Sequence, residues 1–316
     1  MPPVTDPDAF AHSDGIVDVS RWVVIRDEPG GRDPHKLWLA SDPDSPRHEH
    51  WLWKSRQRTG DGSESALTDC AEVFVSRLAG RIDIPAAVCR FAVRDGQWGL
   101  ISLNVTPEGY SLNTGRAYLP EVEGYEHRST DHPTGERVGR MRRDRGYTLD
   151  AVQRVLEGVA PPPGSGATTA FEVFAGYLVL DALVSNTDRH PGNWALLERD
   201  QNGTRFLAAS YDHGSALGAG LTELNRSTRK PEVFAGRGKA NAFDPPKRSL
   251  VDLAHEAVAR ADAGRWLDKV AIFDREAVRS ALVAPPGRLS DVAARFIEGV
   301  VLENRRRLCD DHVAED

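Results

Sequence analysis

Asp188 and Asn193 stand five positions apart in the run Ser185-Asn186-Thr187-Asp188-Arg189-His190-Pro191-Gly192-Asn193-Trp194, and Asp212 follows in Tyr211-Asp212-His213-Gly214. A loop held by regular structure at both ends can aim a carboxylate at a substrate hydroxyl and an amide oxygen at a metal ion. A second carboxylate supplies the anionic oxygen that a hard cation such as Mg²⁺ prefers. Together these groups suit phosphoryl transfer from Mg·ATP, a reaction catalysed mainly by positioning and charge neutralisation. Asp-x4-Asn alone equally describes a turn whose side chains cap backbone groups. The later Asp-x-Gly, the hairpin between them and the β-rich text upstream favour phosphotransfer. The same spacing, followed by an Asp before Gly, marks the catalytic loop of protein kinases.

Lys54 is the next candidate. Only Lys36 and Lys54 precede residue 230 among the six lysines. Lys54 ends an alternating segment in which Leu52 and Lys54 share one face. A strand lysine is often just solubilising. Upstream of a helix bearing Glu72, it has the arrangement in which a lysine grips nucleotide phosphates and a glutamate orients it. Glu64 and Asp69 are nearby alternatives to Glu72. No G-x-G-x-x-G or Walker sequence is present. Gly30 and Gly31 sit between two predicted strands, where their lack of a Cβ would admit phosphate close to the backbone; an ordinary hairpin uses such residues equally.

The elements that must position these groups follow from periodicity. Residues 16–25, 36–39 and 51–54 read as strands. Residues 66–80 read as an amphipathic helix, with Thr68 as N-cap and Gly80 at its left-handed C-terminal position. Residues 87–93 and 98–104 form a hairpin across Asp95-Gly96. Residues 120–147 form a charged loop or insertion, Thr148 caps a helix to about Gly158, and residues 161–166 form a linker or loop. Residues 168–186 read as a strongly apolar helix. Residues 194–197 and 205–209 flank an Asn202-Gly203 turn. The remainder is mainly helical, with starts near Ser249 and Ser290 and a break at Pro285-Pro286-Gly287. The expected architecture is α+β and bilobal: an acidic tail (1–15), a small β-rich lobe with one helix (16–106) and a larger helical lobe (107–316).

Composition narrows the classes. The chain has 316 residues, 40% hydrophobic and 28% charged, enough for a real core and a soluble surface. A net charge of −7 and a pI near 5.8 argue against a general nucleic-acid or membrane-surface binder. Residues 226–248 are the exception, with seven basic side chains against two acids. They read either as a solvated flexible loop or as a surface where Arg226, Arg229, Lys230, Arg237 and Lys239 attract an acidic or nucleic-acid-bearing substrate. Cys70, Cys89 and Cys309 are odd in number and widely spaced, which excludes a disulfide framework and fits a reducing cytoplasm. No signal peptide or membrane-spanning run is read from the text.

The text W-L-W-K (51–54), E-V-F-V-S-R-L-A-G-R-I-D-I-P-A-A (72–87), Y-T-L-D-A-V (147–152), F-A-G-Y-L-V-L-D-A-L-V-S-N-T-D-R-H-P-G-N-W (174–194) and L-A-A-S-Y-D-H-G (207–214) resembles the HipA-like serine/threonine kinases. The likeness covers most of residues 30–310 and is most specific in its D-R-H-x-x-N core. It implies a protein-kinase-like fold using ATP and Mg²⁺. Asp188 would be the catalytic base, Asn193 and Asp212 the magnesium ligands, and Lys54 the phosphate lysine. Residues 103–106, Leu103 and Val105 among them, would be the interlobe segment that holds adenine, and His190 would support the catalytic loop. It further implies a protein Ser/Thr substrate and a possible antitoxin partner; with the composition above, no membrane and no direct sequence-specific DNA binding are expected. The chain looks like a short stand-alone type, lacking the family's extra N-terminal subdomain. No serine stands in residues 30–36 to match the inhibitory phosphorylation site. Small-molecule and lipid kinases of the same fold are the nearest alternatives; Asn186, where aminoglycoside kinases have His, lowers the first. A non-catalytic nucleotide- or partner-binding module is the alternative from another class.

Overall fold

The computed structural model describes residues 15–25, 35–59, 62, 66–127, 144–199, 203–245 and 248–310. Gly30, Gly31 and Glu64 lie outside the described residues. The first lobe is a six-stranded sheet, β1 (Val17–Asp18), β2 (Val23–Ile25), β3 (Lys36–Ala40), β4 (Trp51–Ser55), β5 (Cys89–Arg94) and β6 (Gln97–Leu103), with helix α1 (Thr68–Arg81) inserted after β4. The spatial order is β1-β5-β6-β4-β3-β2. β1 pairs parallel with β5 while β2 pairs antiparallel with β3. The continuous strand expected over 16–25 is therefore broken in two, and its halves occupy opposite edges of the sheet. Only residues 19–22 join them, so the sheet must curl until its edges approach. Inside the curl lie Val17, Val19, Leu39, Trp51, Trp53, Ala92 and Ile101.

Alternation along β4 fixes what faces the other way. Trp51 and Trp53 enter the curl, so Leu52 and Lys54 face the opposite side. Lys54 stands opposite Lys36 on β3 and Leu100 on β6. Gly99 permits this close pairing, because a Cβ there would collide with the Lys54 carbonyl and the Trp53 ring.

Helix α1 belongs to the main core rather than to the sheet's inner curl. Val73, Phe74, Leu78 and Ile82 pack with Phe91 and Leu100 of the sheet and with the helical lobe in one apolar cluster. Two end assignments change. Thr68 is the first helical residue, with Leu67 at the cap and no side-chain bond. Gly80 lies within the helix, and Asp83 takes the left-handed position beyond it (φ 53°). Aspartate tolerates that region nearly as well as asparagine, which is why the glycine misled.

The larger lobe holds β7 (Tyr110–Thr114), α2 (Gly115–Tyr118), α3 (Leu149–Leu156), α4 (Ala170–Leu183), β8 (Ala195–Arg199), β9 (Arg205–Leu207), α5 (Glu223–Thr228), α6 (Pro231–Gly236), α7 (Leu250–Ala261), α8 (Arg265–Ala271), α9 (Arg275–Ala281) and α10 (Asp291–Asp310). Thr148 caps α3 by accepting the Ala151 N–H, as its position predicts. α4 is shorter than expected, since Thr169 caps it. Each of its residues is buried, which accounts for an apolar pattern lacking a polar stripe. β7 is not expected from the text; it pairs with β8, which pairs with β9. Ser249 caps α7, and Pro285-Pro286-Gly287 falls between α9 and α10 as expected. In the stretch 226–248, read as a flexible loop or a basic surface, residues 226–228 belong to α5 and residues 231–236 form α6. Of the charged stretch 120–147, residues 128–143 lie outside the described residues; Glu126 and Arg145 bridge its two ends. No helix among the described residues is long and apolar enough to cross a membrane.

Candidate functional site

Two cavities meet beneath the sheet. The smaller, about 260 Å³, is lined by Leu52, Leu103, Val105, Trp38 and Tyr211 among others; the larger, about 400 Å³, by Glu72, Asp188, Gly214, Ser215 and Arg58 among others. Lys36, Lys54 and Asp212 line both. Their junction is therefore cationic on the sheet side and anionic on the side of residues 188 and 212.

Lys54 Nζ donates to Glu72 Oε1 at 2.5 Å and to Asp212 Oδ1 at 2.9 Å. Among the described residues the carboxylate from α1 that meets Lys54 is therefore Glu72; Asp69 instead pairs with Arg288, and Glu64 lies outside the described residues. Burial works to neutralise the Lys54 ammonium, but Glu72 and Asp212 outweigh it and hold its pKa above the ordinary lysine value. Asp212 responds in kind. Burial would raise its carboxyl, yet Lys54 draws it down to about 2. Its backbone is left-handed (φ 62°), a conformation that costs a non-glycine residue of order 1 kcal/mol and collects at functional sites.

Asp188 is displaced in the other direction. Burial raises its carboxyl above the usual range; His190 opposes this, and the neighbouring Asp212 adds to it. Two carboxylates lining one cleft are thus driven apart in acidity, the pattern that separates a proton acceptor from a permanent anion.

The loop bearing Asp188 hangs on Arg189. This buried guanidinium donates to both oxygens of Asp181 (2.7 and 2.8 Å), to the Asn193 carbonyl (2.7 Å) and to Ser210 Oγ (2.9 Å). Asn186 joins the same carboxylate (2.7 Å) and accepts from the Asp188 N–H. Ser210 Oγ lies 2.8 Å from His213 Nε2, and burial with the adjacent Arg189 keeps that imidazole neutral. The Asn193 amide nitrogen donates to the Asp188 carbonyl at 2.7 Å, which leaves its oxygen as the remaining polar atom of the side chain. Asn193 itself lines neither cavity. It is coupled to Asp212 through the adjoining residues, because the Tyr211 hydroxyl donates to the Gly192 carbonyl at 3.1 Å.

His190 does not line either cavity; its Nδ1 accepts the Gly192 N–H at 2.9 Å and closes the turn. At the far end of the smaller cavity, Asn104 is fixed by bonds from its N–H to the His50 carbonyl and from its side chain to the Arg47 carbonyl. The Val105 N–H has no hydrogen-bond partner among the described residues, leaving a backbone donor beside the cavity.

Sequence reasoning missed Asp181, the anchoring work of Arg189, Lys36 and Tyr211. Asp181 carried a signal, being an acid inside an otherwise apolar helical run. Lys36 also carried one: it is the only other lysine in the first lobe.

The oxygen donors present suit a hard cation. Mg²⁺ takes one or two carboxylates, keeps waters and completes its shell with substrate phosphates. Asp212, held ionised, and the Asn193 amide oxygen are donors of that kind. Among the described residues no three His, Cys, Asp or Glu side chains gather into a self-sufficient metal cage.

The fold is the bilobal, kinase-like α+β fold. Solved structures of two kinase-related proteins share it. A Helicobacter pylori proinflammatory kinase, CtkA, superposes with a TM-score of 0.62 at 14% identity, covering 93% of this chain and 96% of that one. HipA of Shewanella oneidensis MR-1, solved with HipB and operator DNA, superposes with a TM-score of 0.51 at 11% identity, covering 84% of this chain and 60% of that one. No protein-family model and no curated protein matches the chain. At such identities the likeness establishes the fold, one related to the HipA-like kinases.

Proposed function

We propose that the protein is an ATP- and Mg²⁺-dependent phosphotransferase of the HipA-like type, acting on a serine or threonine hydroxyl of a protein. One observation supports it above the rest: Lys54 bridges Glu72 and Asp212 at the junction of an apolar cavity and a polar cleft that also takes in Asp188.

In this reading the nucleotide base occupies the 260 Å³ cavity, with Leu52, Leu103 and Val105 against it and the Val105 N–H as a donor. Residues 16–106 then carry most of the nucleotide contacts, and residues 107–316 the chemistry. Lys54, kept cationic, holds phosphate oxygens, and Lys36 adds a second positive charge on the same side. Glu72 keeps Lys54 oriented when phosphate competes with Asp212 for it. Magnesium, when bound, neutralises charge on the phosphate oxygens, and Asp212 and Asn193 are the residues that would hold it. Asp188 takes the proton from the acceptor hydroxyl as that oxygen attacks the terminal phosphorus and the nucleoside diphosphate departs. Its raised pKa makes it a better base than an ordinary aspartate, while the depressed Asp212 stays ionised. Arg189 and His190 hold the loop in the required shape.

Incubation with terminally labelled ATP and Mg²⁺, with and without a chelator, tests the proposal. Chelator-sensitive transfer to a serine or threonine, lost in Asp188→Ala, is expected. Absence of both transfer and magnesium-dependent ATP binding would refute it. The Shewanella structure, which holds HipB, motivates a second proposal: a small antitoxin-like protein restrains this kinase. Co-expression with a protein encoded beside it, followed by the same assay, would show inhibition or refute that extension.

A further inference from the structure

A third cavity, about 440 Å³, lies behind the loop and is lined by Ser185, Thr187, Arg229, Lys230, Val233 and Arg237 among others. Thr187 lines this cavity while Asp188 lines the nucleotide-side cleft. Consecutive Cα atoms are about 3.8 Å apart. The two spaces therefore flank a single step of backbone, with the proposed base on one side and a basic chamber on the other.

The charges here differ from those elsewhere in the segment. Arg226 is buried and donates inward to the Gly218 and Ala219 carbonyls, and Lys239 is half-buried and does not line the chamber. Arg229, Lys230 and Arg237 are exposed, and no acid among the described residues pairs with them. Three cations with no paired acid among the described residues, on a protein of net charge −7, are a local inversion of its field. Val233, 47% exposed, adds an apolar contact, and Phe234 is braced edge-on against Phe296 at 5.4 Å.

We infer that this chamber is the docking subsite for an acidic stretch of the polypeptide substrate, placing Asp or Glu side chains within a few residues of the acceptor hydroxyl. The inference rests on the phosphotransfer reading of Asp188 and adds a substrate class to it. Carboxylates complement the three cations, and an adjoining apolar side chain complements Val233. Single-stranded nucleic acid is disfavoured, because base stacking needs an open aromatic face and the chamber's aromatic ring is already packed against another.

The test uses fluorescein-labelled peptides that share a central serine and differ in their flanks: glutamate-rich, alanine-rich or lysine-rich. Anisotropy measures binding, and Mg·ATP turnover is followed in the same samples. The glutamate-rich peptide is expected to bind at least ~10-fold tighter than the alanine-rich one, with the gap closing as salt rises. The triple variant R229E/K230E/R237E should lose that preference while keeping Mg·ATP binding. Arg229→Gln and Arg237→Gln singly should each reduce it by about 3-fold, the size of one exposed charge pair. Equal binding of acidic and neutral peptides, or a preference that survives the triple variant, would overturn the inference. So would a single-stranded RNA that outcompetes the acidic peptide in a reversal-sensitive way. If the peptide preference behaves as expected while both turnover and magnesium-dependent ATP binding are absent, the phosphotransfer reading falls and the acidic-peptide site stands without it.

Discussion

Residues 187 and 188 are neighbours, yet the two sides of the loop they occupy use charge in opposite ways. On the Asp188 side the central charges are committed in advance: Lys54 to Glu72 and Asp212, and Arg189 to Asp181. On the Thr187 side Arg229, Lys230 and Arg237 face solvent without an acid among the described residues. A buried, paired charge fixes geometry, because losing its partner strands the other group in a medium that cannot solvate it. A solvated charge fixes nothing but remains available to a ligand. In the proposed function the rigid side would serve a chemistry that needs exact placement, and the adaptable side would serve recognition.

The sharpest way to break that contrast is at its centre. Asp188→Asn is expected to lower phosphate transfer by about 10²–10⁴-fold, the usual worth of a positioned proton acceptor. The same change should stabilise the fold at neutral pH. The folded protein holds the Asp188 carboxyl above its unfolded value, so stability falls as pH rises through that window and stays lower above it. Asparagine escapes this cost. Initial rates and urea melts at pH 7 measure both effects; an inactive variant that is also less stable would deny Asp188 the role of a strained base.

Next in size is the anchor. Arg189→Ala should destabilise the fold by roughly 3–5 kcal/mol by stranding Asp181, whereas Lys230→Ala should stay within about 0.5 kcal/mol, as exposed substitutions do. Urea melts of the two variants compare the sides directly. Similar losses in both would erase the distinction. Glu72→Gln removes one charge-assisted bond to Lys54, worth about 1.5–3 kcal/mol, and should cut transfer by about 10–100-fold while leaving peptide docking unchanged. Rate measurements together with peptide anisotropy would show whether the two sides are as separable as their charge pairing implies.

The two sides were also unequally legible. Asp188, Asn193 and Asp212 announce themselves because a short loop and a hairpin impose fixed spacing, and Lys54 because strand alternation decides its face. Glu72 could be picked from its rivals only when the structure showed Asp69 spent on Arg288. Asp181 and Arg189 were written in the text, yet their pairing depends on how α4 returns against the loop, which spacing does not encode. Arg226 and Arg229 look alike as letters; α5, a helix of six residues, turns Arg226 inward and ends before Arg229, its exposed capping residue. The splitting of residues 16–25 between opposite sheet edges is a consequence of curling, a property of the closed sheet rather than of any local run. The chamber beside Thr187 was invisible for the same reason, since its walls come from segments some forty residues apart.

The smallest expected effect reads the paired side through acid. Asp212 titrates near 2 in the folded protein because Lys54 overcomes its burial, below the ordinary carboxylate value near 3.8. A depressed folded pKa contributes stability that is complete above the unfolded value and is lost as pH falls through the folded one. Between about pH 4 and 2 the native protein should therefore lose stability to which this carboxylate contributes. Asp212→Asn has no such proton to take up, so its stability should decline less over the same interval. Urea melts at pH 5 and pH 2.5 supply the comparison, with Arg237→Gln as a control that should follow the native protein. Parallel decline in Asp212→Asn and the native protein would mean that Lys54 and Asp212 are not paired in solution, and the preorganised side would lose its defining contact.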